Sequence, residues 1–137
     1  MAVSVRRENA HAKVSRTALA KNSLALTEPA FVFVAGGIVD VAVAGGRIDG
    51  VSNSIATYAS DNQTVAMKNA EYTDVSTQNT YKVTVSGGTI TSADVGKYYD
   101  LSDSVTVDGT TESTTTGQLR MVEFISATEC VFEIVNA

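Results

Sequence analysis

The rhythm of apolar and polar positions changes at Pro29. Before it, Ala10, Val14 and Ala18 recur at helical spacing, but the intervening residues are polar and no caps delimit a helix. The first 28 residues therefore read as an arm without an assigned conformation. After it, Phe31-Val32-Phe33-Val34 and Ile38 to Val43 are β-branched and aromatic runs separated by Ala35-Gly36-Gly37, the pattern of a β-hairpin. The first run is apolar on both faces, as in a strand covered on both sides, whereas Asp40 places the second nearer an edge. Gly45-Gly46 supplies another turn, and Ile55 to Ala59 alternates weakly. Asp61-Asn62 is a turn signal, and Thr64 to Lys68 predicts a half-buried strand with Val65 and Met67 on one face.

The second half is more regular. Tyr81-Lys82-Val83-Thr84-Val85 has clean period-two alternation with Tyr81, Val83 and Val85 inward, and Gly87-Gly88 turns the chain. Ser92 to Lys97 predicts one helical turn capped by Ser92 and ended at Gly96. Asp108-Gly109 and the Thr-rich run to Thr116 read as a polar loop. Gly117 to Ser126 and Cys130 to Val135 are two strong strands around Ala127-Thr128-Glu129. The fold class expected is all-β, a small barrel or sandwich of short antiparallel strands with a basic N-terminal arm. Residues 1–28 form the arm and 29–137 the body, which no signal divides further.

Composition agrees. A chain of 137 residues, 44% hydrophobic with ten glycines, one Pro and no Trp, supports a single core without disulfides or a structural metal. The net charge of -5 conceals an asymmetry. Through Asn22 the cations Arg6, Arg7, Lys13, Arg16 and Lys21 face only Glu8, so that segment carries about +4 and the remainder about -9. An acidic body repels phosphate, which argues against a specific nucleic-acid reader; only the arm suits a polyanion or an acidic protein surface. No apolar stretch follows Arg6-Arg7 as in a secretion signal, and the apolar segment Ala30 to Gly46 is shorter than the roughly 20 residues of a membrane span, so no membrane partner is expected.

Candidate chemistry is sparse. His11 lies in the arm, away from Cys130 and from the acids of the body, and Cys130 sits in an apolar strand with no basic neighbour in sequence. One His and one Cys without a paired spacing give no zinc signature, and Asp100, Asp103 and Asp108 depart from calcium-loop spacing and read as turn carboxylates. The glycine pairs match no phosphate-binding loop. Asn62-Gln63-Thr64 matches a glycosylation acceptor by chance in a turn. No enzyme and no cofactor are expected. Tyr98-Tyr99 on a strand must send one ring outward, a candidate interface anchor.

Three stretches carry a resemblance: Val43-Ala44-Gly45-Gly46-Arg47-Ile48-Asp49-Gly50-Val51, Ser60 to Val65, and above all Ile90 to Leu101 followed by Gly117-Gln118-Leu119-Arg120-Met121-Val122. With Ala93-Asp94-Val95-Gly96-Lys97 entering a strand, they resemble the small β-rich decoration, or cement, proteins of tailed-bacteriophage heads, over about residues 43–137. The resemblance implies a non-enzymatic virion protein, made in the host cytoplasm, on the outer surface of the capsid. It would bind the major capsid protein, commonly as a homotrimer, and clamp neighbouring subunits of the expanded shell. Capsid or protomer contact falls to Arg6, Arg7, Lys13, Arg16, Lys21, Tyr98 and Tyr99 on this reading. The alternative is a receptor- or glycan-binding β module on a virion surface, with the Thr-rich loop and tyrosines as its edge; a carboxylate hydrolase on a β scaffold is the third class.

Overall fold

A computed structural model describes residues 14–75 and 79–136 in full, together with the backbone of 5–7. The strands are β1 (Val5–Arg7), β2 (Ser15–Ala20), β3 (Ala25–Leu26), β4 (Phe31–Ala35), β5 (Ile38–Val41), β6 (Gly50–Ser52), β7 (Ala56–Thr57), β8 (Asn69–Asp74), β9 (Tyr81–Ser86), β10 (Tyr98–Asp103), β11 (Thr106–Ser113), β12 (Leu119–Ser126) and β13 (Glu129–Ile134). A π-helical turn, Asn62–Ala66, and a 3-10 turn, Ser92–Asp94, interrupt them. The protein is all-β.

Pairing closes two rings. One runs β2-β5-β4-β6-β8 and back to β2; the other runs β9-β11-β10-β12-β13 and returns to β9, with β1 added along Tyr81 to Val83. Ring closure removes free edges from the strands that form it. Counted within each ring, the order is first, third, second, fourth, fifth in both. The first and third strands run parallel, β2 with β5 and β9 with β11, and every other neighbouring pair is antiparallel. Strands start at residues 15, 31, 38, 50 and 69 in the first ring and 81, 98, 106, 119 and 129 in the second, so the first four starts are offset by 66 to 69. The chain is a tandem repeat of one five-stranded barrel.

The expected hairpin is present, β4 against β5, with Gly36 and Gly37 both at positive φ (59° and 76°) in the two-residue turn that matches strand twist. The two apolar faces of β4 have separate destinations. Val32 enters the first ring's core beside Ala20, Val39, Ala70 and Tyr72. Phe31 points the other way, into the second ring's core, and meets Tyr81 edge-on at 6.0 Å. Ala42, Ile48 and Val51 join it there, so the rings share apolar surface and form one body. Full burial of a side chain such as Phe31 is worth roughly 1.5–3 kcal/mol.

Four expectations are corrected. Residues 15–20, assigned to the arm, are a barrel strand paired with β8 from Ser15↔Thr73 to Leu19↔Asn69, so the body begins well before residue 29. Thr64 to Lys68 is no strand: Asn62 draws the backbone into the π-helical turn, which ends with Met67 in the left-handed region at φ 53°. Of the expected loop from Asp108 to Thr116, residues 108–113 belong to strand β11, which pairs with β10 and, over Thr106 to Asp108, with β9, whereas Thr114 to Thr116 form an exposed loop as expected. The 3-10 turn is capped by Thr91, whose hydroxyl accepts from Ala93 N while the Asp94 carboxylate accepts from Thr91 N.

Candidate functional site

The predicted contact residues do not converge. Lys13 lies outside the described residues, as does His11. Arg6 and Arg7 belong to β1, opposite Lys82 and Tyr81 of the second ring. Arg16 and Lys21 stand on the first ring, where Arg16 pairs with Asp74 at 3.4 Å and Lys21 with Asp40 at 2.9 Å. Both cations are already matched by carboxylates of the same body, unlike charges on a free arm. Tyr98 is half-buried and Tyr99 is 0% exposed, packed edge-on against Phe132 at 6.0 Å, so Tyr99 is no contact residue. Of the edge expected for glycan binding, Tyr99 lies inside, whereas Tyr98 is half-buried and Thr114 to Thr116 are exposed.

The residues of the Ala93-to-Lys97 motif do meet, in a polar network. Lys97 Nζ donates to Asp94 Oδ1 at 2.9 Å and to Glu112 Oε2 at 3.0 Å, and Tyr99 Oη donates to Glu112 Oε1 at 2.8 Å. The backbone bond from Thr91, then Lys97, hold the Asp94 carboxyl below its usual range. Asp94, then Glu112, raise the Lys97 ammonium. Burial, then the bond to Glu112, push the Tyr99 phenol up. Asp94, Lys97 and Tyr99 each shift toward the state they already hold at neutral pH, which suits a brace tying the 3-10 turn to β10 and β11. It does not poise a proton for transfer. Asp103 and Asp108 accept the backbone N–H groups of Val105 and Thr110 two residues on, as turn carboxylates do, whereas Asp100, inside β10, accepts from Gln118 N eighteen residues away and is no turn carboxylate. Cys130 is buried, its thiol bonded to Ser126 O at 3.2 Å and its pKa raised by burial.

Gln118 and Asn136 fasten the two rings. Gln118, 2% exposed, accepts from Gly45 N at 3.0 Å and Leu101 N at 2.8 Å through Oε1, while its Nε2 donates to Val43 O at 2.9 Å and to Gly46 O. Asn136 exchanges two bonds with the backbone of Ile48, both at 2.9 Å.

The surface that sequence reasoning missed is the connection between β6 and β8, residues 53–68. Its counterpart in the second ring, between β12 and β13, is the tight turn Ala127-Thr128. Closing a barrel of this topology thus needs only two residues there. The longer connection carries three of the seven exposed large hydrophobic side chains among the described residues: Ile55 (65%), Val65 (71%) and Met67 (56%). It is nonetheless firmly held. Asn62, fully buried, donates to Ala20 O at 2.6 Å and Lys68 O at 3.0 Å and accepts from Lys68 N at 3.0 Å. That burial also removes Asn62 as a glycosylation acceptor in the folded chain. Asn22 and Gln63 exchange backbone-to-side-chain bonds of 3.0 and 2.7 Å, and Ser23 N donates to Ala59 O at 3.0 Å. The signal available in the sequence was Val65 and Met67 in a polar setting, read as a strand face.

Among the described residues, no helix is long and apolar enough to cross a membrane. No protein-family model matches the chain, and no curated protein matches it at a significant level.

Proposed function

We propose that this chain is a structural virion protein that decorates the outside of a tailed-phage head and clamps neighbouring major capsid subunits, without catalysis or cofactor. The observation that carries the reading is the clasped connection 53–68, an apolar display held rigid by buried hydrogen bonds on a scaffold of closed rings. A side chain exposed in a fixed place loses little entropy on contact, the condition for tight docking to a repeating surface. The motif resemblance at Ile90 to Leu101 and Gly117 to Val122 supplies the class of partner. It also suggests a homotrimer spanning adjacent capsid subunits. Arg6, Arg7 and Lys13 keep the role of basic docking residues in this reading, whereas Arg16 and Lys21 serve the barrel surface through Asp74 and Asp40. Binding the assembled shell more tightly than free subunits stabilises the shell by mass action.

The test is co-sedimentation with empty expanded heads of the phage encoding the chain, with light scattering for oligomeric mass. A fixed copy number per capsid subunit, with a trimer in solution or on the shell, supports the reading. A monomer left in the supernatant at every shell concentration overturns it.

A further inference from the structure

The connection 53–68 has more than an apolar surface. Among the described residues, strand β7 within it pairs on one side only, with β3, in a two-stranded ribbon outside both rings. Tyr58 N donates to Leu24 O at 2.8 Å, and antiparallel pairing alternates along a strand, so the N–H and C=O of Thr57 face away from β3. On that side lies an open groove of about 490 Å³ lined by Ala56, Thr57, Tyr58, Ala66, Lys68 and Asn69. Its floor is apolar, its one wall a free strand edge. The cation lining it is distinctive in this acidic chain. Arg16, Lys21, Arg47, Lys97 and Arg120 each pair with a carboxylate, whereas Lys68 makes no ion pair among the described residues.

We infer that this groove takes an extended peptide segment of a partner protein by strand addition to β7, with apolar side chains toward Ala56, Ala59 and Ala66 and a carboxylate on Lys68. Main-chain bonds to a free edge supply affinity in such recognition and alternate side chains supply specificity. The free edge sets the occupant's extended conformation, the alanines lining the groove set its apolar character, and the unmatched ammonium sets its charge. The bonds from Asn62, Asn22 and Gln63 hold the groove open before the partner arrives. This inference rests on the reading of the chain as a structural protein that docks on a partner protein and adds the mode and chemistry of the contact.

The test is a titration of the ¹⁵N-labelled full chain with three acetylated, amidated hexapeptides, Val-Thr-Val-x-Val-Thr, where x is Asp, Ala or Lys. The expected result is saturable movement of amide resonances in residues 55–69, with the Asp peptide about three- to five-fold tighter than the Ala peptide and the Lys peptide weakest. Lys68→Ala should erase the preference for Asp while leaving resonances of the second ring in place. Three results overturn the inference: no movement in 55–69 with any peptide at millimolar concentration, equal affinity for all three, or movement of the same resonances on raising protein concentration alone, which assigns the face to a second copy. The co-sedimentation assay keeps the two readings apart. Wild-type binding to shells alongside a silent titration removes the groove and leaves decoration standing, whereas a positive titration with no shell binding does the reverse.

Discussion

Replacing Gln118 by Met tests the fastening between the rings. Met keeps nearly the same volume, so the packing loss is small, under about 1.5 kcal/mol. What disappears is the amide that serves four backbone groups. Leu101 is 1% exposed, and its N–H left without an acceptor costs about 1–3 kcal/mol. Val43 and Gly45 are exposed and Gly46 half-buried, so water can replace the amide there, and each lost bond costs only the net value of about 0.5–1.5 kcal/mol. The sum is about 2.5–9 kcal/mol, a large part of the roughly 5–15 kcal/mol that separates folded from unfolded domains. Urea unfolding followed by tyrosine fluorescence and circular dichroism measures it directly. A second variant, Gln118→Glu, separates acceptor from donor. At neutral pH its carboxylate faces the Val43 and Gly46 carbonyls with no proton to offer; once protonated, it can donate again. Burial raises the folded-state pKa above the unfolded value of about 4.3. Its deficit against wild type should therefore be small below about pH 4, grow as pH rises through that value, and level off above the folded pKa. A Met variant within about 1 kcal/mol of wild type, or a Glu deficit independent of pH, would refute the account.

Further outcomes follow from single sites. In Gly50→Ala the new Cβ would stand 2.1 Å from Thr73 O and 2.9 Å from Tyr72 Cδ2, so β6 and β8 must separate; destabilisation of about 1–3 kcal/mol is expected in the same urea assay. Asn79 is fully buried with neither amide atom hydrogen-bonded among the described residues, so Asn79→Leu should raise the urea midpoint, and a fall instead would show that the amide is matched in solution. Asp94, whose folded pKa is depressed, contributes stability that is present above its unfolded value and lost as pH falls through the folded one. The gap between wild type and Asp94→Asn should accordingly close on acidification below the usual carboxylate range; a gap constant with pH would exclude the carboxylate charge as its source. Asn62→Ala should speed hydrogen exchange in residues 59–68 while leaving β9 to β13 protected, and uniform acceleration would show that the clasp supports the whole fold.

What could be read in the chain was what local pattern decides. The β4–β5 hairpin, the alternation of β9 and the two long strands β12 and β13 stand in the residues themselves, because each buries one face through period-two spacing or turns on Gly36-Gly37. Strand β2 was missed because Ser15 to Thr17 are exposed and only Ala20 is fully buried; its identity lies in pairing with β8 some fifty residues on. The repeat was hidden for a related reason. Ser15 to Ala20 and Tyr81 to Ser86 occupy equivalent places with almost no shared side chains, and the connection 53–68 breaks the offset before the last strand. Of the contact residues, Arg16 and Lys21 were legible as surface cations, but their carboxylate partners lie far along the chain. Between Tyr98 and Tyr99, alternation requires one ring inside without saying which; the ring core selected Tyr99.

The sharing of Phe31, Ala42, Ile48 and Val51 between the rings bears on how the chain is made. Those four side chains leave the ribosome before the strands that cover them, Tyr81 to Ile134, have been synthesised. At about 5–20 residues per second the interval from Val51 to Ile134 lasts roughly 4–17 s. During it the nascent first ring shows an apolar flank to solvent, open to chaperones and to other nascent copies. The Ile48–Asn136 bonds cannot form until residue 136 emerges, so a stalled or truncated product keeps that flank uncovered. Quality control thus has a simple mark to read: chains that reach residue 136 hide the flank, and shorter ones cannot.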